Sequence, residues 1–106
     1  MAIKLRRSVL FLPGINERAT EKARTLPIDC VILDLEDAVA EEKKIAAREQ
    51  VSLSLDKGGF GTREVIVRIN KVSSIWVEGD LDMLKTRHPS AILIPKIDSI
   101  KDLHQI

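Results

Sequence analysis

Cys30-Val31-Ile32-Leu33-Asp34-Leu35-Glu36-Asp37-Ala38-Val39 opens as an unbroken apolar run and then carries three carboxylates within four positions. An apolar run this short, bounded by turn signals, reads as a strand buried on both faces. The acids at its C-terminal end repel one another unless positive charge lies close by. Ligands of α/β proteins bind where strands end. The stretch therefore reads as a buried parallel strand that delivers acids to a site for a cation or a polar substrate.

Similar strands lie to either side. Ser8-Val9-Leu10-Phe11-Leu12 is stopped by Pro13-Gly14, Glu64-Val65-Ile66-Val67-Arg68-Ile69 ends in Asn70, and Ala91-Ile92-Leu93-Ile94-Pro95 follows the His88-Pro89 turn. Helical patterns separate them. Asn16 caps a helix over Glu17–Leu26 that Pro27 ends. A second helix runs from about Ala40 to Leu55, with Ile45, Ala46, Val51, Leu53 and Leu55 as its apolar members. A third covers Val77 to Thr86 with Leu81 and Leu84, and Asp98 caps a fourth. Gly58-Gly59-Phe60-Gly61 is a loop; it precedes a strand, so it is not a phosphate-binding fingerprint. The order is strand then helix, four times over. Strands without alternation imply a parallel sheet with both faces covered. Four such units are half of a (β/α)8 barrel, which takes about 250 residues; an open four-stranded sheet is the other closure.

The bulk numbers narrow the function. The chain has 106 residues, 44% of them hydrophobic and 31% charged, with a net charge of +1. One small domain is expected. Near-neutral charge with two phenylalanines and one tryptophan argues against a nucleic-acid partner. No apolar run approaches the roughly 20 residues of a membrane span, and the basic start Met1–Arg7 lacks the apolar core of a signal peptide. The single cysteine, Cys30, reads as a small buried hydrophobe rather than a nucleophile. A lone thiol suits a reducing compartment, here the cytoplasm.

Each strand end carries polar chemistry: Arg7 lies just before strand 1, Asp34, Glu36 and Asp37 close strand 2, Arg68 and Asn70 close strand 3, and Lys96 closes strand 4. In a parallel sheet these ends share one rim. Alternation places Asp34 and Glu36 on one side of strand 2, and Arg68 and Asn70 on one side of strand 3. Two readings fit. The acids could serve a Mg²⁺ ion that keeps its waters, with Arg68 stabilising charge on a substrate oxygen; or Arg68 forms a rim salt bridge with Glu36 or Asp37. Arg18 and Lys22, four apart on one helix face, could hold a phosphate, or form a solvated face paired with Glu17 and Glu21. His88 and His104 read as surface or turn histidines, and Trp76 as core or loop anchor.

Taken together, Arg7–Gly14, Val31–Val39, Val67-Arg68-Ile69-Asn70 and Ile94-Pro95-Lys96 resemble, in order and spacing, the citrate lyase β-subunit-like group of the HpcH/HpaI aldolase superfamily, which includes malyl-CoA, citramalyl-CoA and citryl-CoA lyases. The resemblance runs over nearly the whole chain. It implies a (β/α)8 barrel of which these are the first four units, with residues 1–106 a partial domain. It also implies Mg²⁺ dependence and reversible Claisen-type C–C cleavage of a 3-hydroxyacyl-CoA. By the same resemblance Arg68 contacts substrate, Phe11 lines the substrate pocket, and Arg18 and Lys22 hold the CoA portion. Glu36 and Asp37 bind the metal's waters, and Asp34 supports them. The family's direct metal ligands, a Glu and an Asp, follow the Ile-Pro-Lys segment, and a further catalytic acid lies in a C-terminal region packed on a neighbouring subunit. None of these has a counterpart here. The 106 residues alone are expected to be inactive, and a full-length protein is expected to be a homo-oligomer, trimer or hexamer. The alternative is a half-barrel binding or assembly module, or a remnant without activity. Water could attack the same activated thioester, but no residue of the chain argues for that.

Overall fold

A computed structural model of the chain describes residues 8–95. The elements run β1 Val9–Pro13, α1 Glu17–Ala23, β2 Cys30–Asp34, a 3-10 turn Glu41–Lys43, α2 Lys44–Lys57, β3 Glu64–Arg68, α3 Val77–Leu84 and β4 Ala91–Leu93. Arg7, Lys96, Asp98 with the fourth helix, and His104 lie outside the described residues.

The four strands form one sheet in the order β1-β2-β3-β4, every pair parallel. Sequential order with crossovers of one hand puts all the helices on one face. The packing agrees: Ala23, Ala47, Val51, Met83 and Leu84 from the helices cluster with Leu12, Val31, Leu33, Val65 and Val67 from the strands. The expectation of a strand buried on both faces holds for β2, whose five residues are all buried, and fails at the β1 edge. Alternate strand residues point the other way, and Val9 and Phe11 are 45% and 53% exposed there. Helices on one face and strands in sequential parallel order are the arrangement of a barrel wall, not of a doubly wound sheet.

Helix boundaries moved for local reasons. Asn16 caps α1 as expected, its Oδ1 accepting from the Ala19 amide at 3.0 Å. The helix ends at Ala23 rather than Leu26, because the Thr25 amide and hydroxyl both turn onto the Lys22 carbonyl, at 3.1 and 3.0 Å. The Arg24 side chain then caps the end of α2, donating to Gly58 O at 2.7 Å and Ser54 O at 3.1 Å. α2 begins at Lys44 instead of Ala40, which is extended. Its buried residues are Lys44, Ala47, Val51 and Ser54, while Ile45 and Leu53 are 58% and 62% exposed. The apolar members expected at 45 and 53 thus face out, and a lysine and a serine take the inward stripe. Cys30 is fully buried. His88 is exposed just after the turn at 85–87, at φ 47°.

Candidate active site

Register lines up the C-terminal ends of the strands. Pro13 pairs with Asp34, Asp34 with Arg68, and Arg68 with Leu93. One step in, the row is Phe11, Ile32, Ile66 and Ala91. Paired residues of parallel strands point to the same side, so Phe11, Asp34 and Arg68 all project onto the open face.

Asp34 is the hub. Arg68 Nε donates to its Oδ1 at 2.8 Å and Nη2 to its Oδ2 at 2.6 Å, a two-pronged charge-assisted pair. The Glu36 amide bonds Oδ1 and the Ala38 amide bonds Oδ2, both at 2.9 Å. Burial alone would raise the Asp34 pKa; the guanidinium and the two amides overcome it and hold the carboxyl below the usual carboxylate range. Gly14 brings its amide to 2.7 Å from Asp34 O. A Cβ at Gly14 would lie 2.9 Å from that oxygen and 2.6 Å from Val51 Cγ2, so the β1–α1 turn needs glycine there.

Arg68 therefore makes its salt bridge with Asp34, not chiefly with Glu36 or Asp37. Glu36 stands 3.8 Å from Arg68 Nε. The guanidinium lies over the Phe11 ring, 5.5 Å from its centroid. The Glu36 pKa is raised, first by burial and then by the neighbouring carboxyl of Asp37. These two acids face a polar hollow of about 310 Å³ that Glu41, Lys44, Asn70, Lys71 and Trp76 also line. A larger hollow of about 730 Å³ lies against β4 and α3, walled by Ile69, Val77, Leu81, Ile92 and Ile94. It is mostly apolar and contains none of the fork's residues.

The strand-end residues do not all meet. Asn70 follows β3 and turns to α3: its amide and Nδ2 both donate to Asp80 Oδ2, at 2.9 and 2.7 Å. The expected shared side with Arg68 is corrected, because β3 ends at Arg68 and strand alternation ends with it. Glu36 likewise falls beyond β2. Arg18 and Lys22 are exposed on α1. Glu21, their expected partner, is instead 2.8 Å from Arg24 and 2.6 Å from Lys57. Among the described residues no ion pair holds Arg18 or Lys22, and both stay exposed, as either reading of them allows.

Three residues outside the expected set shape the site. Lys44 donates to the carbonyls of Leu35 and Glu36 at 3.0 and 2.6 Å. Asp80, fully buried, joins Asn70 to Arg48 Nε at 3.1 Å. Arg48 also donates to Trp76 O at 3.0 Å, and Trp76 Nε1 to Glu41 at 2.9 Å, which makes Trp76 a loop anchor. Gly79 was the available signal: glycine inside a helix costs about 1 kcal/mol relative to alanine and usually has a packing reason. Here a Cβ would collide with the Arg48 guanidinium.

Among the described residues no group of three or more acidic, histidine or cysteine side chains converges on a metal position. The donor chemistry explains this. Both Asp34 oxygens are occupied, which leaves the Glu36–Asp37 pair. Mg²⁺ commonly takes one or two carboxylates and keeps several waters, so two neighbouring acids fit the edge of such a site, not the whole of it.

Comparison with known proteins adds an independent line. A profile of the HpcH/HpaI aldolase/citrate lyase family matches residues 7–106. The chain is 45% identical over 100 residues to a (3S)-malyl-CoA thioesterase of Cereibacter sphaeroides, covering 94% of this chain and 35% of that protein. It is 42% identical to the mitochondrial citramalyl-CoA lyase of Rattus norvegicus, covering 92% and 30%. It thus spans about a third of the length of these curated relatives. Among solved structures, the citrate lyase beta subunit of M. tuberculosis complexed with oxaloacetate and magnesium superposes with TM-score 0.73 at 33% identity, over 92% of this chain and 42% of that one. A further M. tuberculosis structure, TM-score 0.71 at 31% identity over 92% and 36% of the two chains, carries magnesium, acetoacetate and coenzyme A.

Proposed function

Because the chain belongs to the HpcH/HpaI aldolase/citrate lyase family, we propose that it is the first four βα units of a Mg²⁺-dependent acyl-CoA carbon–carbon lyase. The reaction is reversible Claisen-type cleavage of a 3-hydroxyacyl-CoA of the malyl, citramalyl or citryl type. The bond between the hydroxyl-bearing carbon and the carbon next to the thioester breaks. The hydroxyl loses its proton to become the carbonyl of an oxo acid, and the electron pair passes to the thioester half as an enolate, which then takes a proton.

The observation that carries this reading is the Asp34–Arg68 fork on the open strand-end row beside Phe11. The fork fixes a guanidinium that stays charged, since the Asp34 bonds raise its pKa further. Placed against the developing enolate oxygen, Arg68 stabilises charge without reorganising. Phe11 forms the apolar wall beside it. Arg18 and Lys22, exposed and without acid partners among the described residues, take the phosphates of CoA. Glu36 and Asp37 hold waters of Mg²⁺, whose direct ligands come from later strands of the longer protein. When bound, the ion polarises the oxo-acid oxygens. The full-length lyase is a homo-oligomer, a trimer or hexamer. It works in a reducing compartment, the cytoplasm, a placement that the buried Cys30 thiol suits. No helix among the described residues is long and apolar enough to cross a membrane.

Hydrolysis of the same thioester is a second reading, favoured by the thioesterase name of the 45%-identical relative. One assay separates the two. With (3S)-malyl-CoA, cleavage yields glyoxylate and acetyl-CoA, and hydrolysis yields malate and the free CoA thiol. The lyase reading predicts glyoxylate from the longer protein and no turnover from the 106 residues alone. Robust cleavage by the 106-residue chain would contradict the division of the site between its halves.

A further inference from the structure

Lys44 is an unusual lysine. It opens α2 yet is 8% exposed. A cation at a helix N-terminus opposes the helix dipole, and a buried ammonium is costly unless paired. No ion pair among the described residues includes it. Its charge goes instead to two consecutive carbonyls, Leu35 O at 3.0 Å and Glu36 O at 2.6 Å. These belong to the loop that presents Glu36 and Asp37 to the polar hollow, which Lys44 also lines. The same loop is tied from the other side, where Leu35 N donates to Arg68 O at 2.9 Å and the amides of Glu36 and Ala38 bond Asp34. Asp34 grips the loop through its N–H groups, and Lys44 through its C=O groups.

We propose that Lys44 is a positioning residue: by bonding the Leu35 and Glu36 carbonyls it sets the direction in which the Glu36–Asp37 pair meets a ligand. It touches no reacting atom. Its catalytic consequence rests on the lyase reading, but its hold on the loop does not.

The test compares Lys44→Met, which keeps length without charge or donors, with Lys44→Arg, which keeps both. Amide hydrogen exchange is followed in the intact protein. Lys44→Met should speed exchange at Leu35, Glu36 and Ala38 at least about tenfold and leave Val31, Leu33 and Val51 within about twofold; Lys44→Arg should restore much of the protection. Unchanged loop exchange in Lys44→Met overturns the proposal. So does uniform loss of protection in both variants, which would make Lys44 a plain stability element. In the retro-Claisen assay of the full-length protein, Lys44→Met should lower kcat at least about tenfold with KM for the acyl-CoA within about threefold, partly rescued by Lys44→Arg. A rise in KM alone would make Lys44 a substrate-binding residue and contradict the assignment. If the unsubstituted protein shows no cleavage, the lyase reading falls, and the exchange result still decides whether Lys44 holds the loop.

Discussion

At the scale of single residues, Asp34 and Glu36 lie two positions apart and titrate in opposite directions. The folded-state pKa of Asp34 is lowered, so its contribution to stability is present above its unfolded value of about 3.9 and is lost as pH falls through the folded value. The pKa of Glu36 is raised, so its contribution is greatest below about 4.3 and is lost as pH rises through the folded value. Asp34→Asn should therefore destabilise the fold at pH 7 by about 3 kcal/mol, the low end for a broken buried pair because Arg68 still reaches water. The gap should narrow at pH 3. Glu36→Gln should be neutral or stabilising at pH 7, with any gain vanishing on acidification. Urea unfolding of both variants at the two pH values checks this; equal destabilisation by both at pH 7 would refute the contrast.

Part of the residue chemistry is legible in the sequence. Acids and an arginine at strand ends can be read directly, because a parallel sheet sends all its ends to one rim. Which acid the arginine takes could not be read. Asp34 wins because register places it directly opposite Arg68, and register is not written in residue types. Lys44 was hidden for a related reason. In Glu42-Lys43-Lys44 the three charges look like one solvated face, and only the tertiary fold buries one of them.

At the scale of elements, α2 shows where pattern fails. Its buried stripe runs Lys44, Ala47, Val51, Ser54, a helical spacing whose polar members silence the hydrophobic signal. Meanwhile Ile45 and Leu53 advertise a face that lies in solvent. Strands β2 and β3 were easier to read: apolar runs between turn residues leave few alternatives. Energetics should follow burial rather than hydrophobicity. Leu33→Ala removes a fully buried side chain from the sheet–helix core and should cost about 2–5 kcal/mol. Leu53→Ser, on the exposed face of α2, should change stability by about 0.5 kcal/mol or less. Denaturant melts of the two variants test this; comparable losses would mean that the face of α2 has been assigned wrongly.

At the scale of the whole molecule, strand order carries the meaning. Four parallel strands in sequential order, with helices on one face, form a barrel wall whose other side bears Phe11, Asp34 and Arg68. The parallel sheet was legible because helical segments separate every pair of strands. The open face was not: it depends on where the crossovers lie, and uniformly apolar strands look alike whether a face is covered by helices or lines a barrel interior. Under the lyase reading, that face carries one part of the site. The fork and the acid pair are assembled here, while a closed barrel would add groups from strands that face them.

The most direct measurement is the Mg²⁺-dependent retro-Claisen rate of the full-length protein with malyl-, citramalyl- and citryl-CoA, taken with and without Arg68→Ala. A fixed guanidinium stabilising enolate charge predicts cleavage of at least one of the three and a loss of about 100-fold or more in kcat for the variant. Equal rates for the two proteins on a substrate that is cleaved would contradict it.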